Sequence, residues 1–72
     1  MFELNDKAIR SFMLERQMTL RDVAKAANIT ETTAARLSRD GARANARTTG
    51  KLAKAFDCEP EQILKRDEPR DQ

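Results

Sequence analysis

The side chains of this chain that are able to do chemistry are cations, hydroxyls and amides. Between Arg36 and Lys54 lie Arg36, Arg39, Arg43, Arg47, Lys51 and Lys54 against one acid, Asp40, a local net charge of +5. The whole chain has 14 basic and 12 acidic residues, or +2, so the remainder is 8 less 11, or −3. A guanidinium is a rigid fork of donors that fits phosphate oxygens and can grip O6 and N7 of guanine together. A positive strip of this sort attracts duplex DNA by neutralising phosphates and releasing counterions. The competing reading is a solvated face that keeps an alanine-rich bundle soluble. The strip coincides with the helical pair described below, which favours DNA.

Other chemistry lacks its parts. Histidine is absent, Cys58 is the only cysteine, and no glycine-rich phosphate loop is present. Neither nucleophilic nor metal-assisted catalysis can be assembled from these residues, and no cofactor, metal or internal disulfide is expected. Cys58 reads as a small core hydrophobe. No segment approaches the ~20 apolar residues of a membrane span, and Met1-Phe2-Glu3-Leu4 is too short for a signal peptide, so the expected location is the cytoplasm, away from membranes.

The elements that position the cations are legible in Thr19 to Arg39, TLRDVAKAANITETTAARLSR. Leu20, Val23, Ala24 and Ala27 form an i, i+3, i+4, i+7 stripe, the mark of an amphipathic helix over about residues 20–27. Thr19 is its N-cap, and Asp22 three residues on resembles a capping box. A second helix over about residues 30–39 opens at Thr30 and buries Ala34 and Leu37. The connection is so short that one residue must be left-handed, and Asn28 tolerates this best among non-glycine types. Ala24 and Ala34 permit close approach of the two helices, and Leu20, Val23, Ile29 and Leu37 fill the space around the crossing. The opposite face of the second helix shows Thr32, Ala35, Arg36 and Arg39, with Glu31 at its edge.

With these residues in view, the chain resembles the helix-turn-helix family of Cro and the lambdoid phage repressors, which includes small regulators of mobile elements (Xre-type). The resemblance covers roughly residues 6 to 65. It rests on Thr19 to Ala24, Asn28-Ile29-Thr30 and Ala34 to Leu37, with a second block from Lys51-Leu52-Ala53-Lys54-Ala55-Phe56 to Ile63-Leu64. Departures are visible too. Asn28 and Asp57 stand where glycines are usual, Leu20 where a phosphate-touching glutamine is frequent, and Ser38 where a glutamate is frequent. No arginine partner for such a glutamate is evident on helix one. The loop Asp40 to Asn45 is about one residue longer than in phage repressors.

Roles follow for the recognition face. Arg36 is the first candidate for base readout, worth ~1–3 kcal/mol of discrimination, with a phosphate contact as the alternative. Thr32 could meet a base edge one turn earlier, and Ala35 could pack against a thymine methyl. Glu31 could accept from a cytosine amine, although an acid at the first helical position also suits the helix dipole, the slightly favoured reading. Thr19 and Thr33 suit phosphate, while Arg43, Asn45 and Arg47 would clamp the backbone from the following loop. Arg39 suits either role and is placed with the phosphate set. Capping is favoured for Thr30.

The rest of the chain completes the expected fold class, an all-α, compact five-helix domain like that of lambda repressor. Asn5 or Asp6 caps helix one, whose stripe is Ile9, Phe12 and Met13, ending before the Arg16-Gln17 break. Gly41 ends helix three, and helix four runs from about Arg47 to Phe56 with Leu52, Ala53 and Phe56 inward. Glu59-Pro60 opens a short fifth helix, and Ile63 and Leu64 close the core. Residues 1–65 are read as one domain and 66–72, without an apolar residue, as a disordered polar tail. A sequence-specific DNA-binding transcriptional regulator of the repressor kind is expected, its recognition helix in the major groove. The partners are double-stranded DNA and a second copy joined on DNA, by resemblance through helix five and its preceding loop. The alternative is a protein-interaction module with a regulatory protein partner: an antitoxin, anti-repressor or recombination accessory factor.

Overall fold

A computed structural model describes residues 1–65 of the chain; the expected polar tail lies outside the described residues. Four α-helices form the body: α1 (Asp6–Glu15), α2 (Leu20–Ala27), α3 (Glu31–Leu37) and α4 (Ala46–Phe56). Each starts on a side-chain cap: Asn5, Thr19, Thr30 and Asn45 accept from the backbone N–H three residues on, satisfying one of the orphan donors at each helix start.

The helix ends share a less common device. Gln17, Asn28 and Asp57 all adopt the left-handed region, with φ of 53°, 58° and 56°. In each case the following N–H reaches back five residues, Met18 to Met13 at 2.8 Å, Ile29 to Ala24 at 2.9 Å and Cys58 to Ala53 at 3.0 Å. This is the Schellman closure, which uses up carbonyls that a helix end otherwise leaves unpaired. Met18, Ile29 and Cys58, the residues just beyond, are half-buried and pack on the core, so each closure also anchors an apolar side chain. Burial pushes the Cys58 thiol above its ordinary pKa, which makes it a weaker nucleophile.

The left-handed region costs a residue with a Cβ roughly 1–2 kcal/mol, and glycine is exempt. The Gln17 side chain is exposed. Gln17→Gly is therefore expected to stabilise the domain by about 0.5–1 kcal/mol after the added freedom of the unfolded chain is subtracted, raising Tm by a few degrees in a thermal melt. A fall in Tm would show that this closure carries no strain.

Two parts of the expected architecture are corrected. The chain is mostly helical rather than all-α: β1 (Phe2–Glu3) pairs antiparallel with β2 (Arg43–Ala44), in the register Phe2 with Ala44 and Glu3 with Arg43. Leu4 forms an isolated bridge with Leu64. The N–H groups of Leu4 and Asn5 bond Ala42 and Ile63 at 2.9 and 2.8 Å, so the N-terminal segment stitches the loop before α4 to the end of the domain. The expected fifth helix is a single 3₁₀ turn, Pro60–Ile63, capped by the Gln62 side chain, whose Oε1 accepts from Glu59 N–H at 2.9 Å. A turn of four residues fits here because Leu64 is already extended for its bridge to Leu4, which stops propagation.

The core lies where these elements meet. Leu4, Ile9, Val23, Leu37, Leu52, Phe56 and Ile63 are fully buried. Phe12 stacks on Phe56 with ring centroids 5.6 Å apart, and the Arg16 guanidinium covers the outer side of Phe12 at 4.8 Å. Phe12, Met13, Leu20, Ile29 and Leu64, expected inside, are partly buried against this core. Gly41 does not end α3. That helix stops at Leu37, and Gly41 turns the chain three residues after the Ser38 cap with φ of 83°.

Candidate nucleic-acid interface

The pair α2 and α3 is held rigidly at three points. At its start, Thr19 Oγ1 accepts from Asp22 N–H at 3.2 Å while Asp22 Oδ2 accepts from Thr19 N–H at 2.9 Å, a complete capping box. The Thr19 backbone N–H, aided by its hydroxyl, holds the Asp22 carboxyl below its ordinary pKa. At the turn, Asn28 is left-handed and Thr30 caps α3, its Oγ1 accepting from Thr33 N–H at 3.1 Å and donating to Thr33 Oγ1 at 2.8 Å. Between the helices Ala24 and Ala34 are buried, at 6% and 1% exposure. Side chains this short allow the helices to approach closely, so the outer face of α3 is presented on a fixed base.

A fourth point joins residues 28 positions apart. Arg10 of α1 reaches the end of α3, its Nη2 donating to the Ser38 carbonyl at 3.4 Å, while Ser38 Oγ donates to the Ala34 carbonyl at 2.9 Å. Helix one therefore does supply an arginine to this place. With serine in the position of the family's glutamate, the guanidinium meets the Ser38 carbonyl at the C-terminus of α3, an end that favours a cation.

The face of α3 separates into exposed and half-buried positions. Glu31, Thr32 and Arg36 are exposed, and Ala35 and Thr33 are half-buried. Thr32, Ala35 and Arg36 fall on one face by their spacing of three and four. Thr33 has its hydroxyl paired with Thr30, so it is partly committed to the cap. Glu31 is paired as well, with Oε1 3.9 Å from Arg21 Nε on α2. No local pattern singles out Arg21, because only the tight turn brings two residues ten positions apart side by side.

The cations expected beyond the helix are spread over three elements. The expected helix over residues 30–39 is realised as Glu31–Leu37, so Arg39 follows the helix in a turn, its N–H still bonding the Arg36 carbonyl at 3.3 Å. Arg43 is not in an open loop. It sits on β2 opposite Glu3 and lines a cleft with Met1, Phe2, Leu64 and Lys65. Asn45 caps α4 by accepting from Thr48 N–H at 2.8 Å, which leaves its amide N–H₂ free to donate. Arg47 is exposed in the first turn of α4, and Thr19 is exposed at the start of α2.

A family model described as the Cro/C1-type HTH DNA-binding domain matches residues 8–69. The chain belongs to this family. No curated protein and no solved structure matches it. The match covers α1 from Ala8 onward, α2 to α4 and the 3₁₀ turn, and α2-turn-α3 is the helix-turn-helix of this Cro/C1-type domain. A DNA-binding regulator is what such a domain is, and its sequence-level signature and its folded geometry agree. No helix among the described residues is long and apolar enough to cross a membrane.

Proposed function

We propose that this Cro/C1-type domain is a sequence-specific transcriptional regulator of the repressor kind, which lays α3 in the major groove of double-stranded DNA. The observation that carries the reading is the exposed set Glu31, Thr32 and Arg36 on a helix whose other side, Ala34 and Leu37, is locked into the core. Direct readout needs side chains of this type on a base that does not yield when they meet base edges. Arg36 reads guanine, Thr32 and Ala35 meet neighbouring base edges, and Glu31 stands at the end of the helix nearest the turn. Arg39, Arg47, Asn45 and Thr19 hold phosphates and set the register. Arg43 contributes positive charge from β2. One domain of this size touches few base pairs, so useful specificity calls for two copies on a roughly two-fold site with half-sites about one helical turn apart.

Selection of bound duplexes from a random library, at low and at near-physiological salt, tests this directly. Enrichment of a short, near-palindromic motif at the higher salt is the expected result. Binding that disappears with salt and enriches no motif would overturn sequence reading and favour a protein as the partner of this fold.

A further inference from the structure

We propose that Arg21, at the second position of α2, is a phosphate contact of the DNA interface, and that Glu31 is its positioning residue. The inference rests on the reading of α3 as the recognition helix.

Arg21 and Glu31 are both largely exposed, with side chains at 77% and 58% of full accessibility, and Arg21 Nε lies 3.9 Å from Glu31 Oε1. An exposed single ion pair contributes little to folding, because water screens it and two long side chains must be ordered. Its consequence lies at the surface. Glu31 opens the recognition helix, where a bare carboxylate would face the phosphate backbone, and a guanidinium at this distance offsets its charge. In return the carboxylate draws a flexible arginine toward the cleft between the starts of α2 and α3.

That cleft is lined by Thr19, Leu20, Arg21 and Glu31. Thr19, the N-cap of α2, is already assigned to phosphate, and Leu20 beside it has no side-chain donor. Arg21 supplies five N–H donors there, and no hydrogen bond occupies them among the described residues. The neighbouring acid Asp22 also attracts Arg21, but its Oδ2 is engaged by Thr19 N–H at 2.9 Å and the ion pair within 4 Å is the one to Glu31. A cation with free donors, held at the edge of the reading helix by a carboxylate, is a fitting partner for a phosphate that flanks the bases read by α3.

The test is a double-mutant cycle on the full chain, Arg21→Ala, Glu31→Gln and both together. Affinity is titrated against salt on a duplex carrying the selected site and on a random-sequence duplex of equal length. Arg21→Ala is expected to weaken both duplexes at least about fivefold by a similar factor, lower the salt slope by about one and leave Tm unchanged. In the Glu31→Gln background the same change is expected to cost about twofold or less. Unchanged affinity and slope in Arg21→Ala would overturn the phosphate contact, and an equal cost in both backgrounds would overturn the role of Glu31. Arg36→Ala, run alongside, separates the two readings. If it weakens binding while Arg21→Ala does not, only the Arg21 proposal fails. If neither changes binding, α3 is not the reading helix.

Discussion

Replacing Arg36 by alanine is expected to lower affinity for the selected site by about 5- to 150-fold, the ~1–3 kcal/mol carried by a bidentate arginine on guanine, while Tm stays within a degree or two. Arg36 is exposed and its side chain makes no hydrogen bond among the described residues, so truncation removes no internal support. Preference at one base pair of each half-site should relax with the loss, which distinguishes base readout from a phosphate contact. Adding Arg39→Ala should weaken site and random duplex together, because Arg39 stands past the end of α3 in a turn and serves the backbone. An unchanged affinity in the double variant, with the fold intact, would remove α3 from the interface.

Phe56→Ala is expected to cost ~3–5 kcal/mol, the range for emptying a fully buried aromatic site. Phe56 has no exposed surface and stacks on Phe12 at 5.6 Å, so its loss opens a cavity between α4 and α1 and deprives Phe12 of its partner. Small domains have roughly 0.05–0.15 kcal/mol of stability per residue, about 4–11 kcal/mol for a chain of 72 residues, so a loss of this size removes between about a third and all of it. A melt followed by circular dichroism should show a fall in Tm of ten degrees or more, or no cooperative transition at 25 °C. Phe56→Leu, which keeps most of the volume, should retain a cooperative fold and DNA binding. A Tm for Phe56→Ala within a few degrees of the parent would mean that the core is not organised around this ring.

The two experiments probe separate links of one chain of cause. Phe56 decides whether the domain exists, and Arg36 decides whether a domain that exists can read. The link between them is the α2 and α3 crossing, where Ala24 and Ala34 bring the helices together and the Arg10 contact with Ser38 ties the far end of α3 to α1.

Much of this was legible in the residues themselves, for a physical reason that can be stated case by case. Caps and closures act over three to five residues, so Thr19 with Asp22, the left-handed Asn28 and the cap at Thr30 could be read from neighbours alone. Apolar stripes of period 3.6 likewise located the inward positions Ile9, Val23, Ala34, Leu37, Leu52 and Phe56. The exposure of Arg36 and Thr32 follows from the same period. Only the tertiary structure decided what depends on residues far apart in sequence. The pairing of Phe2 with Ala44 and the bridge from Leu4 to Leu64 have no local signal, since strands of two residues are too short to show a period. The bridge from Leu64 to Leu4 is also what limits the last helix to one 3₁₀ turn, and the pairing of Glu3 with Arg43 is what moves Arg43 from a loop onto a strand. Arg10 on Ser38, 28 positions away, and Arg21 beside Glu31 were decided in the same way. Long charged side chains choose their partners only after the backbone has folded, when the nearest opposite charge or free carbonyl is set by packing.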